Sequence, residues 1–118
     1  MGARFQISEV RIGLVMPRLA LEVCRRKLAP AQFHAATTLG IPFTPASALA
    51  AGFVDELVPG YAMQEAVQRH CADFLTLNTK SFAINKRRIN AQVIQAMAVA
   101  VEADIAEWKA LSSGTAAT

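Results

Sequence analysis

Residues 5–17 read FQISEVRIGLVMP, and the order of residue types in this stretch governs how the rest of the chain is read. Phe5 and Ile7 alternate with Gln6 and Ser8, a period of two that suits a short strand. One carboxylate, Glu9, follows directly. Gly13 then permits backbone angles that other residues resist. Pro17 cannot continue a strand but suits the first turn of a helix. The layout is strand, acid, glycine turn, helix start. It places a carboxylate at the carboxyl end of a strand, where layered α/β folds commonly carry catalytic groups.

Beyond Pro17 the period changes. Leu19, Ala20, Val23, Cys24 and Leu28 recur at helical spacing, with Arg18, Glu22, Arg25 and Arg26 on the other face, so a helix is expected over 17–28. Pro30 opens a second helix, carrying Phe33 and Leu39 and ending at Gly40. Thr44 is a cap, Pro45 fits a first turn and Gly52 lies past the end, which gives a short alanine-rich helix over 44–51. Residues 53–58, FVDELV, read as a strand or extended segment stopped by Pro59-Gly60. Residues 62–77 are amphipathic, with Met63, Ala66, Val67, Cys71, Phe74 and Leu75 in one stripe.

The last helix is the long one, over 81–111. Phe82, Ile89, Val93, Met97, Val101, Ile105 and Trp108 step mostly by four, and Ile84, Ala91, Ile94 and Ala98 widen the apolar face. Its length of ~46 Å exceeds the ~35 Å width of a compact domain of this size. The helix therefore kinks or projects. If it projects, another chain is expected to cover its apolar residues.

With 118 residues, 53% of them apolar, the chain is one domain able to bury a core. A net charge of +3 suits phosphate-bearing partners without demanding them. No aromatics are interleaved with the basic residues, which argues against nucleic-acid binding. Cys24 and Cys71 are far apart and show no metal or redox spacing, so two buried free thiols in a reducing compartment are expected. The first residues lack the pattern of a secretion signal. The longest apolar run, residues 96–101, falls short of the ~20 residues that cross a membrane. A soluble, cytoplasmic chain with no membrane partner is the expectation. His34 has no acid or thiol partner at a telling spacing, and His70, beside Val67, Cys71 and Phe74, reads as a histidine at the edge of the core. No metal site is expected. Trp108 reads as packing, within the chain or across an interface. Arg25, Arg26 and Lys27 near a helix end suit the helix dipole.

Two motifs give the chain a family resemblance. The run EVRIGLVMP at residues 9–17 resembles a segment of the crotonase superfamily, the enoyl-CoA hydratase and isomerase family. So does TPASALAAGFVDELVP at residues 44–59, where the family has a small helix, Gly, an aliphatic or aromatic residue, Val-Asp and Val-Pro. The lysine-bearing start of the last helix, residues 79–86, is also similar. The resemblance spans about 5–108 and covers the carboxyl-terminal half of a family member.

That resemblance implies a mainly α chain with short β segments: a truncated crotonase-like fold in which the α/β spiral core is largely missing and the carboxyl-terminal helical part is retained. It divides the chain into a residual core segment (1–60), a helical oligomerisation region (61–112) and a flexible tail (113–118). The half that is not matched holds the oxyanion donors and a first glutamate in the family. Glu9 occupies the second acid position, and the Gly-rich run that often follows the proline is replaced by Arg18-Leu19-Ala20. Family reactions pass through the enolate of an acyl-CoA thioester, and a carboxylate moves the α or γ proton only where the oxyanion is stabilised. Glu9 is thus the candidate general acid/base, against a plain reading as a solvated or capping carboxylate. Lys80 and Lys86 are the candidates for contact with a CoA thioester, against a plain reading as a solvated helix face. No other cofactor is implied. The expected partners are further copies of the chain, a trimer by resemblance, or a full-length relative. The chain is then either an oligomerising module without catalysis of its own, or an isomerase- or hydratase-type enzyme whose oxyanion donors come from another chain.

Overall fold

A computed structural model describes residues 3–113. Five helices follow one another: α1 (Arg18–Lys27), α2 (Pro30–Thr37), α3 (Pro45–Ala51), α4 (Met63–Leu75) and α5 (Thr79–Ser112), with 3-10 turns at Glu9–Ile12 and Gly60–Ala62. The mainly helical architecture is the one expected. The strand expected at Phe5 and Ile7 is reduced to one antiparallel bridge, Phe5 with Phe43. An alternating pattern needs a partner strand to become a ladder, and among the described residues only Phe43 supplies a pairing. Residues 53–58 form no strand. The tail expected over 113–118 falls, beyond Ser113, outside the described residues.

The helix limits follow local chemistry. Pro17 caps α1 instead of opening its first turn, with φ −57° and ψ 143°. Helix α2 stops at Thr37, short of Gly40, and the Thr37 hydroxyl donates back to the Phe33 carbonyl at 2.7 Å. Helix α3 is held at both ends. Thr44 Oγ1 accepts from the Ser47 N–H at 3.3 Å, while Ser47 Oγ accepts from the Thr44 N–H at 2.9 Å, a reciprocal capping box. Gly52 closes the helix at φ 90°, and a Cβ there would lie 2.7 Å from the Lys27 carbonyl oxygen. That glycine lets the end of α3 press against the end of α1, where the Ala29 N–H donates to the Ala51 carbonyl at 2.9 Å.

The core is small. Leu28, Ala36, Phe43, Ala48 and Ala51 are buried, and Phe5, Ile7, Cys24 and Phe53 pack against them. Phe53 links the aromatic members, its ring centroid 5.0 Å from Phe43 and 6.2 Å from Phe5. Among the described residues no large side chain is fully buried.

Helix α5 is 34 residues long. Asn78 starts it by accepting from the Ser81 N–H at 2.9 Å. It packs along α1, with Ala100 and Asp104 buried and Val93, Met97 and Val101 partly buried. Ile89, Ile94, Val99 and Trp108 are more than half exposed. Helix α4 buries only Ala66, and Val67, Phe74 and Leu75 stay exposed. The radius of gyration is 18.1 Å with a longest extent of 54 Å, against ~13–14 Å for a compact domain of this length. The long helix projects. Among the described residues, no helix is long and apolar enough to cross a membrane.

Three expectations about single residues are corrected. Cys24 is half-buried and Cys71 exposed, so neither is a core thiol, although both are free. His70 does not border a core. It is exposed and its Nε2 lies 2.6 Å from Glu56 Oε2, because the apolar stripe of α4 beside it is itself uncovered.

Candidate functional site

Glu9 begins the 3-10 turn that follows the Phe5–Phe43 bridge. Its backbone carbonyl accepts from the N–H groups of Gly13 and of Leu14, the latter at 2.9 Å, and Gly13 takes a left-handed φ of 77°. The turn is anchored to the far side of α2. The Gly40 carbonyl accepts from Arg11 Nε at 2.6 Å and from Gln6 Nε2 at 2.9 Å. The Glu9 side chain is half-buried, and its Oε2 atom is buried with no hydrogen-bond partner among the described residues. A buried carboxylate oxygen without a donor is unfavourable, so a donor from outside the described residues, or a bound group, would relieve it. Burial, and next the negative charge of Glu9, push the Cys24 thiol upward from its ordinary pKa.

Lys80 and Lys86 are not brought together. Six positions apart on α5, they point ~120° apart around the helix axis. Lys80 is exposed in the first turn. Lys86 Nζ sits 5.6 Å from the centroid of the Phe82 ring and lines an open hollow with Asn78, Ser81, Asn85 and Ile89. Arg25, Arg26 and Lys27 do fall in the last turn of α1. Each also has its own contact: Arg25 lies 4.8 Å from the Phe33 ring centroid, Arg26 Nε donates to Asn90 at 3.3 Å, and Lys27 Nζ meets Asp55 at 2.7 Å.

One constellation escaped the sequence reading. Asp104, buried on α5, accepts from the Arg18 N–H (Oδ1) and the Leu19 N–H (Oδ2), both at 3.0 Å. Arg18 Nη1 adds a bond to Asp104 at 3.2 Å and pairs with Glu107. The carboxylate caps α1 from another helix. Its pKa is held below the ordinary value, first by the Leu19 N–H and then by Arg18, with burial opposing. The signal was present: Asp104 follows Val101 by three positions, inside the apolar stripe, and a charge there requires a partner. Glu56 is similar but lies at the surface, with its pKa lowered first by His70 and then by Arg69. Among the described residues no cluster of three or more His, Cys, Asp or Glu side chains is placed to hold a metal.

The helices, the Glu9 turn and the short α3 before Gly52 invite comparison with known folds. The sequence profile named "Enoyl-CoA hydratase/isomerase" matches residues 1–116. The chain belongs to that family. Solved members share the fold. An enoyl-CoA hydratase of Mycobacterium marinum superposes with a TM-score of 0.83 at 30% identity, over 88% of this chain and 46% of its own. An enoyl-CoA isomerase of Mycobacterium tuberculosis gives 0.84 at 31% identity, over 88% and 46%. An enoyl-CoA hydratase/isomerase family protein of Pseudomonas syringae gives 0.86 at 25% identity, over 88% and 45%. The chain thus spans a little under half the length of these relatives. No curated protein sequence matches it individually.

Proposed function

We propose that the chain is an oligomerising unit of an enoyl-CoA hydratase/isomerase-type protein and does not turn over substrate by itself. The observation that carries this is the uncovered apolar surface. Ile89, Ile94 and Val99 on α5 and Val67, Phe74 and Leu75 on α4 are all more than half exposed, and no large side chain is fully buried among the described residues. Exposed apolar faces of this extent mark interaction surfaces. A homotrimer is the first form to look for, followed by a mixed assembly with a full-length relative. Multi-angle light scattering at low micromolar concentration tests this: an oligomer is expected, and a stable monomer refutes it.

A second reading is favoured by the unpartnered Oε2 of Glu9. Here Glu9 is the general acid/base that shuttles a proton on an acyl-CoA thioester, the oxyanion donors coming from another chain. Each such donor typically contributes ~10²–10³ in rate, so without them one carboxylate achieves little. Lys86 would meet the CoA moiety. The hydratase and isomerase named among the relatives make a short enoyl-CoA the substrate to try. Turnover by the purified assembly that disappears in Glu9→Gln supports this reading, and absence of turnover leaves the assembly role alone.

A further inference from the structure

The net positive charge of the chain comes from one stretch. Between Asp73 and Glu102 the sequence has no acidic residue and four basic ones, Lys80, Lys86, Arg87 and Arg88. The whole chain has 12 basic and 9 acidic residues, so setting these four aside leaves 8 basic against 9 acidic. All four are exposed, and none is in an ion pair among the described residues. They follow an apolar end of the molecule. Helix α4 stops at Leu75 and α5 starts at Thr79. The turn between them is drawn tight by Thr76, whose N–H and hydroxyl both donate to the Asp73 carbonyl, at 3.1 and 2.7 Å. Phe74, Leu75 and Leu77 are exposed there, and the Phe74 ring lies 6.4 Å from that of Phe82. Helix α1 ends beside Asn90, which accepts from Arg26 Nε at 3.3 Å, so the first turns of α5 run on past it.

We propose that this end of the molecule docks on an anionic lipid surface, with Phe74, Leu75 and Leu77 entering the headgroup layer and Lys80, Lys86, Arg87 and Arg88 meeting the charged headgroups. Successive helix residues point ~100° apart, so Lys86, Arg87 and Arg88 do not converge on one small anion. A charged plane lying across the end of the helix meets cations on every side of it. Lys86, Arg87 and Arg88 lie ~11–14 Å along the axis from Thr79. An apolar apex that enters the surface by ~5–10 Å brings them within the ~8–10 Å over which an anionic surface attracts. A second copy does not fit here, because two copies end to end would set four uncompensated cations against four. The flank of α5 that carries Ile94 and Val99 differs: residues 89–101 hold no charge, and that flank remains available for assembly. The lipid contact is peripheral, since among the described residues no helix is long and apolar enough to cross a membrane. It depends neither on assembly nor on turnover.

The experiment is co-sedimentation of the full chain with phosphatidylcholine vesicles, with and without phosphatidylglycerol, over a range of salt. Binding is expected on the anionic vesicles, falling as salt rises, with little on the neutral ones. Lys80→Gln, Arg87→Gln and Arg88→Gln should each weaken it about fivefold, although the three point to different sides of the helix. Leu75→Ser should weaken it about tenfold. Leu75 is 86% exposed, so this change spares the fold, and circular dichroism checks that it does. Equal binding to neutral vesicles, or none to either kind, overturns the proposal. A loss confined to one of the cations overturns it in favour of a small-anion site. Binding that ignores Leu75→Ser overturns the entry of the apex. Polyglutamate that binds as tightly as the vesicles, with the same loss in Leu75→Ser, makes the partner an acidic polypeptide instead. A light-scattering mass that drops in Leu75→Ser without vesicles shows that a second copy covers the apex, and this too overturns the proposal; an unchanged mass is expected.

Discussion

Asp104 and Glu9 are two carboxylates with opposite circumstances. Asp104 is buried and fully engaged, capping α1 through the N–H groups of Arg18 and Leu19. Glu9 is half-buried with one oxygen unserved. The first is a structural group, and the second carries the proposed acid/base role. Because the folded pKa of Asp104 is depressed, its contribution is present above the ordinary carboxylate pKa of ~3.9 and fades as pH falls through the lower folded value. An acid titration followed by circular dichroism should therefore show a loss of stability beginning below about pH 4. Asp104→Asn should melt several degrees lower at neutral pH and lack that acid-dependent step. Glu9→Gln should melt near the unmodified protein, since it leaves every hydrogen bond of the turn backbone in place. If Glu9→Gln is as destabilised as Asp104→Asn, Glu9 is structural too.

The elements differ in how far their own residues determine them. Helix α3 is specified locally, by the Thr44–Ser47 box, Pro45 and Gly52. Gly52→Ala tests this most sharply. It would force a side chain into the left-handed region and against the Lys27 carbonyl. A loss of about 2 kcal/mol is expected from the strain, read as a lower midpoint in urea. A variant as stable as the parent would show that α1 and α3 are not held in contact by this glycine. Helix α5 is specified by periodicity, but periodicity did not reveal which part of its apolar girth is covered. Val93, Met97 and Val101 are partly buried, whereas Ile89 and Trp108 from the same repeat, and Ile94 beside it, are more than half exposed.

For the whole molecule the uncovered side of α5 is the main feature. The 34-residue helix packs laterally on α1 and leaves Ile89, Ile94 and Val99 more than half exposed, the kind of apolar face that marks an interaction surface. Ile89→Glu and Val99→Glu each place a charge on a side chain that is 68% and 72% exposed in the single chain. In a monomer such changes are nearly neutral, within ~0.5 kcal/mol. In the proposed assembly they bury a charge at an interface and should shift the light-scattering mass toward monomer. An unchanged mass in both variants would place the interface elsewhere.

The sequence by itself determined the helices, their order and most of their ends, because caps, prolines and apolar spacing act within a few residues. It also carried the two motifs whose family the profile match bears out, and it located the carboxylate of the Glu9 turn. Only the tertiary structure decided what lies far apart in sequence but close in space. The α1–α5 latch joins Arg18 and Asp104, 86 positions apart, and no local signal names that pairing. The same holds for the Phe5–Phe43 bridge, which replaced an expected strand, and for His70, which pairs with Glu56 on the exposed side of its helix. Burial depends on what packs against a face, and a periodic stripe records only that something can.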